Sequence, residues 1–186
     1  IMNEFKKSID EYKLSYTSWS GLSELKDSVS NKLARENGYN ADPNSEILIT
    51  TGAQSAVMAI FMALLDQDDE IIIPAPFYNT YEEIAFSCGG KVIPIITEYT
   101  SNYTVNIAQI KKAISNKTKA IVLVSPSNPT GTVLNKKLIK EIYDLVVENN
   151  LILITDEIYE HYIFDDNSHY SIHTDYQSKE NVISIY

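Results

Sequence analysis

The sequence predicts an α/β fold, a mostly parallel sheet sandwiched by helices in three layers. Short, continuous apolar runs recur along the 186 residues, and amphipathic helical patterns separate them. No repeat, low-complexity tract or Pro/Gly-rich linker interrupts that alternation. A strand covered on both faces loses its polar alternation, so continuous apolar runs point to a buried parallel sheet. Right-handed crossovers then place the helices on either side.

The elements follow in order. Residues 21–37 carry an apolar stripe at Leu22, Leu25, Val29 and Leu33, and Gly38 offers a helix stop. Residues 46–50 (EILIT) read as a short buried strand. Residues 53–65 are apolar and free of Gly and Pro, the pattern of a buried helix. Residues 70–73 (EIII) read as a strand that Pro74 ends. Residues 78–88 read as a helix broken by Gly89-Gly90, and residues 91–96 as the next strand. Ile107, Ile110 and Ile114 mark a helix, and residues 120–124 (AIVLV) a strand. Ile139, Ile142, Tyr143, Val146 and Val147 have the spacing of a one-sided helix. Residues 151–155 (LILIT) and 181–186 read as the last two strands.

Hydrophobic residues at 44% and charged residues at 22% exclude a disordered tail, a collagen-like fibre and a disulfide scaffold. The net charge of −10 repels phosphate backbones, and Arg35 is the only arginine, so no nucleic-acid partner is expected. The longest apolar run, residues 56–65, is too short to span a bilayer, so no membrane partner is expected. A single cysteine, Cys88, allows no intrachain disulfide and fits a cytoplasmic location. No metal site is expected. Residues 1–10 do not read as a signal peptide, and Ile1 stands where an initiator Met would. Residues 181–186 read as a strand that stops abruptly, so both ends are expected to be cuts.

In parallel sheets, ligands gather at the carboxyl ends of the strands. Four such ends carry notable residues. Thr51-Gly52-Ala53-Gln54-Ser55 suits either a tight turn with a helix cap or an anion site at a helix start. It is neither G-x-G-x-x-G nor a Walker A loop. Residues 74–81 (PAPFYNTY) place aromatics on a stiff turn. Their rings could stack on a flat ligand, or Phe77, Tyr78 and Tyr81 could be ordinary core in a chain with 13 tyrosines. Residues 125–131 (SPSNPTG) either start a helix by a turn or aim the Asn128 amide. Asp156-Glu157-Ile158-Tyr159 puts an acid at a buried strand end. That acid is costly unless paired, and a protonated ring nitrogen would pair with it. The other reading is a capping Asp. Together the four ends suit a flat, phosphorylated, nitrogen-containing aromatic ring.

The order G-A-Q, P-x-Y-x-x-Y, N-P-T-G and D-E-I-Y resembles the fold type I enzymes that use pyridoxal phosphate, specifically class I/II aminotransferases. Residues 16–26 (YTSWSGLSELK) are similar to the family's Tyr…Gly…Leu-Arg stretch, with Lys26 where Arg is usual. The resemblance implies a three-layer α/β/α large domain and pyridoxal 5'-phosphate as cofactor. It implies that Gly52, Ala53 and Gln54 hold the phosphate and that Tyr78 stacks on the ring. Asn128 and Tyr159 would bond the phenolic oxygen, and Asp156 would pair with the ring nitrogen. Tyr16 would reach the phosphate of a neighbouring subunit, which implies a homodimer. The implied reaction transfers an amino group from an amino acid to a 2-oxo acid.

The family's Schiff-base lysine follows a strand like residues 182–186, and none of the 14 lysines here has that setting. The substrate-binding arginine has no match either. Residues 1–186 are therefore expected to be a partial cofactor-binding large domain, without the small domain and the lysine segment, and inactive alone. Two other readings share these motifs: another pyridoxal-phosphate enzyme such as a C–S lyase or decarboxylase, and a non-catalytic sensing domain of a regulator.

Overall fold

The computed structural model describes residues 1–11, 16–175 and 180–186. Its sheet is built from β1 (Glu70–Ala75), β2 (Lys91–Ile96), β3 (Thr118–Val124), β4 (Ile152–Asp156) and β5 (Val182–Ile185). The spatial order is β2-β1-β3-β4-β5, and every neighbouring pair is parallel. The helices are α1 (Met2–Glu11), α2 (Ser23–Lys32), α3 (Ala53–Leu64), α4 (Thr80–Ser87), α5 (Ile107–Ala113) and α6 (Lys136–Glu148). Among the described residues no helix is long and apolar enough to cross a membrane.

Successive strand side chains point to opposite faces, and this sheet buries both. Ile72, Ile121, Leu123 and Leu153 pack with Ile110 of α5 and Ile139, Ile142 and Val146 of α6. Ile71, Ile73, Ala120, Val122 and Ile154 pack with Val57 and Phe61 of α3 and Ile84 of α4. The two cores on either side of one sheet make the three-layer α/β/α arrangement that the continuous apolar runs predict.

Several elements differ from the sequence reading. Residues 46–50 do not form a strand, and Leu48 is exposed. A strand needs a neighbour to complete its ladder. Here a groove of about 750 Å³ separates residues 47–50 from β5, the nearest edge of the sheet. Helix α3 is not buried throughout: Val57 and Phe61 face the core while Met62 is exposed. Strand β1 runs through Pro74, which pairs with Ile95 of β2. Pairing of β1 with β3 ends at Ile72, so the missing N–H of Pro74 falls where β1 is bonded on one side only. In α2 the expected stripe is half exposed, with Leu22 and Leu25 outside, while Lys26 is buried and donates to Ser20 Oγ at 3.1 Å. Helix α1 covers residues for which the sequence reading names no element.

The chain order reverses between β1 and β3. The crossovers from these two strands leave in opposite directions, and a crevice opens between their carboxyl ends.

Candidate functional site

That crevice holds a cavity of about 440 Å³. Gly52, Ala53, Gln54, Tyr78, Asn128, Asp156 and Tyr159 all line it, brought together from four separate strand or helix ends. Tyr16 does not line it, and its side chain is fully exposed. Thr51, Thr80, Tyr81 and Ile158 complete much of the wall.

The phosphate-sized corner is the start of α3. The first N–H groups of a helix have no intrahelical acceptor. Here the carbonyl of Gly52 accepts from Ser55 N and Ala56 N, and no side chain caps the helix. Gly52 has φ +93° and ψ 166°, a conformation open essentially to glycine. A Cβ built there would meet nothing within 4 Å, so the glycine is required by backbone geometry and leaves open space. An uncapped helix start beside open space fits an anion.

Tyr78 stands on the turn between β1 and α4, half exposed, with its hydroxyl accepting from Gln54 Nε2 at 3.3 Å. Asn128 sits in a loop closed by Ser127 N to Thr132 O at 2.9 Å and Gly131 N to Ser127 O at 2.8 Å. Tyr159 is braced edge-on by Tyr162, with ring centroids 6.0 Å apart. Neither the Asn128 amide nor the Tyr159 hydroxyl makes a hydrogen bond among the described residues. Both are polar heads on the wall of one cavity, suited to an oxygen on a ligand.

Asp156 ends β4 and is only 4% exposed. Its Oδ1 accepts from Ile158 N at 3.2 Å, and its Oδ2 accepts from the Tyr81 hydroxyl. No Lys, Arg or His lies within ion-pair distance among the described residues. Burial pushes this carboxyl above its ordinary value, and the charge of Glu157 adds to that, while the two hydrogen bonds pull it back. A buried carboxylate on a cavity wall without a cation fits a ligand that carries one.

Tyr81, for which the sequence leaves open ligand stacking or core packing, does neither alone: it is buried and its hydroxyl reaches Asp156. The signal was its place three residues after Tyr78, which sets both on one face of a helical turn. Its ring packs on Phe61 at 6.5 Å, and burial followed by the Asp156 charge pushes its hydroxyl well above the ordinary tyrosine value. Glu157, next along the chain, faces away from the cavity. Its Oε1 accepts from Thr155 Oγ1 at 2.9 Å and Ser171 Oγ at 3.2 Å, and its Oε2 pairs with His169 Nε2 at 2.8 Å.

A three-layer domain with an open helix start and a buried carboxylate at the switch point of its parallel sheet offers a cavity suited to a small molecule that is anionic at one end and cationic at the other. Residues 2–186 match the family described as aminotransferase class I and II, and the chain belongs to that family. It is 42% identical over 152 residues to an aspartate aminotransferase of Pyrococcus abyssi, covering 82% of this chain and 39% of that protein. It is 40% identical over 157 residues to an aspartate aminotransferase of Streptomyces avermitilis, covering 84% and 38%. The aromatic aminotransferase of Pyrococcus horikoshii superimposes with a TM-score of 0.94 at 38% identity, covering 98% of this chain and 49% of that one. The aspartate aminotransferase of Thermus thermophilus with maleate gives 0.92 at 31% identity, with 98% and 47% covered. The chain thus spans about half the length of the solved relatives and about two fifths of the curated ones.

Proposed function

We propose that residues 1–186 are the cofactor-binding part of a large domain and that the cavity holds pyridoxal 5'-phosphate. The observation that carries this reading is the pairing, on one cavity wall, of an uncapped helix start with a buried carboxylate that has no cation among the described residues. The N–H groups of Ala53 and Gln54, with Gly52 giving room, would bind the phosphate. The Tyr78 ring would cover the pyridine face, and Asn128 and Tyr159 would donate to the phenolic oxygen. Asp156 would keep the ring nitrogen protonated. When bound, the cofactor supplies an electron sink for the Cα of an amino acid. The residues of this chain bind it, orient it and set its charge.

The activity we propose for the whole protein is transfer of an amino group from an amino acid to a 2-oxo acid, in line with its aspartate and aromatic aminotransferase relatives. We further propose that the protein works as a homodimer. Tyr16 is fully exposed and outside its own cavity, a position compatible with reaching the phosphate site of a second copy.

Calorimetric titration with pyridoxamine 5'-phosphate tests the cavity, because this probe has no aldehyde to react with surface lysines. Saturable 1:1 binding, weakened by inorganic phosphate and by Gly52→Val, is expected. Absence of saturable binding, or binding indifferent to both, overturns the reading.

A further inference from the structure

The carboxylate of Asp156 is gripped before any ligand arrives, and the grip comes from one side chain. Tyr81 is the second residue of α4, held between Phe61 and the end of β4. It is 5% exposed, so its hydroxyl has no competing water on most sides. Its hydroxyl donates to Oδ2, and the Ile158 N–H donates to Oδ1. Each oxygen therefore has one fixed donor. The carboxylate plane is set, and the remaining lone pairs are left for the cavity.

We infer that Tyr81 is a positioning residue whose hydroxyl aims the Asp156 carboxylate and keeps it ionised, ready for a cation. This rests on the reading of the cavity as a cofactor site. Two physical effects compete at Asp156. Burial favours the neutral acid, and a hydrogen bond donated to the charged form favours the carboxylate. Tyr81 suits the second task because it stays a donor. Burial and the adjacent negative charge both hold its own proton in place. A tyrosine that ionised near neutral pH would instead repel the carboxylate.

The other groups near Asp156 do not substitute for it. Glu157, on the same strand end, is engaged with Thr155, Ser171 and His169. Tyr159 follows on the same turn, and Tyr78 lies across the cavity with its hydroxyl on Gln54. Behind the strand stand His169 and Tyr170; the His169 Nε2 is committed to Glu157. The walls supplied by α3 and β3 add Gln54 and Val124, neither titratable. Tyr81 is the one hydroxyl among the described residues that reaches Asp156.

Without the Tyr81 hydroxyl, Asp156 should hold its proton to higher pH. Binding of a protonated ring would then require that proton to leave first. The affinity of such a variant should therefore fall tenfold for each pH unit below its carboxyl value, and that fall should begin at a higher pH than in the wild type. The difference in onset between the two proteins is diagnostic, because titration of the probe itself is common to both.

The test compares wild type, Tyr81→Phe and Asp156→Asn. First, carboxyl carbon NMR of the ligand-free chain follows Asp156. Its midpoint should rise by at least about one pH unit in Tyr81→Phe, the scale of a hydrogen bond to a charged group. Second, the affinity for pyridoxamine 5'-phosphate is measured from pH 5 to 8. Tyr81→Phe should acquire an acid-side loss that Asp156→Asn, having no proton to shed, does not show. Third, the unsubstituted chain should show a downfield, slowly exchanging Tyr81 hydroxyl proton that vanishes as Asp156 protonates, a reading that stands even if Tyr81→Phe does not fold. An unmoved Asp156 midpoint, superimposable pH profiles or the absence of that proton would each overturn the inference. Failure of the wild type to bind the probe, with the Asp156 midpoint still shifted by Tyr81→Phe, would sink the cofactor reading alone.

Discussion

Asp156 and Glu157 are consecutive residues, both acidic and both buried, at 4% and 2% exposure. They face opposite ways. Glu157 turns into the protein and finds two hydroxyls and a histidine. Asp156 turns toward the cavity and finds a hydroxyl, a backbone N–H and, among the described residues, no cation. The difference separates a carboxylate that completes the fold from the one we propose to meet a ligand. Burial alone does not make a site. Burial with an unfilled electrostatic demand, on the wall of a cavity, does.

The widest separation is expected in stability. Glu157→Ala would remove the buried acceptor that Thr155, Ser171 and His169 share, leaving Thr155 only Ser184 and Ser171 only Tyr186 as hydroxyl partners. Chemical denaturation should show a loss of about 3 kcal/mol, with probe affinity of the folded fraction within twofold. A Glu157 variant of normal stability would mean the cluster is idle, and the contrast would collapse. Asp156→Ala should do the reverse. Its affinity for pyridoxamine 5'-phosphate should fall at least tenfold, about 1.4 kcal/mol, in the same calorimetric titration. Unchanged affinity would remove Asp156 from the site.

The pH dependence of stability sharpens the contrast further. Burial raises the folded-state value of Asp156 above 3.8, so the native state holds more protons than the unfolded chain just above that pH. Its contribution makes stability decline as pH climbs from there to the folded value, after which it stays flat. Asp156→Asn lacks that decline. It should melt higher than wild type at pH 7, with the gap closing as pH falls toward 3.8. A gap that is constant across this range would show that Asp156 carries no such cost. The smallest effect is expected at Gln54→Ala. The backbone N–H at position 54 is what the helix start offers, and the side chain only touches the Tyr78 hydroxyl at 3.3 Å. Affinity should change less than about threefold, under about 0.7 kcal/mol. A tenfold loss would move the phosphate contact onto the amide side chain.

Much of this architecture is legible in the residues. Runs such as AIVLV at 120–124 and LILIT at 151–155 are apolar on both faces because helices cover both, and they lie centrally in the sheet. EILIT at 46–50 has the same local character yet joins no strand of the sheet among the described residues, its Ile49 N–H donating to the Ser20 carbonyl instead, since pairing depends on what lies alongside and not on composition. The site residues were legible where a turn residue met a strand end, as at Gly52, Asn128 and Asp156. Tyr81 and Glu157 were not, because a buried tyrosine or glutamate looks the same in sequence whether it packs, pairs or positions. Only the facing atoms decide.

The sheet also carries a gradient in time. Strand β3 is bonded on both sides by β1 and β4, while β5 has a partner on one side and an open groove on the other. Local opening follows such a difference, so the amides of β3 should exchange with solvent more slowly than those of β5. The cavity straddles this gradient. Asn128 and Asp156 hang from the slow centre, whereas Gly52 and Ala53 border the groove. A ligand touching both would tie the quick half of the domain to the slow half.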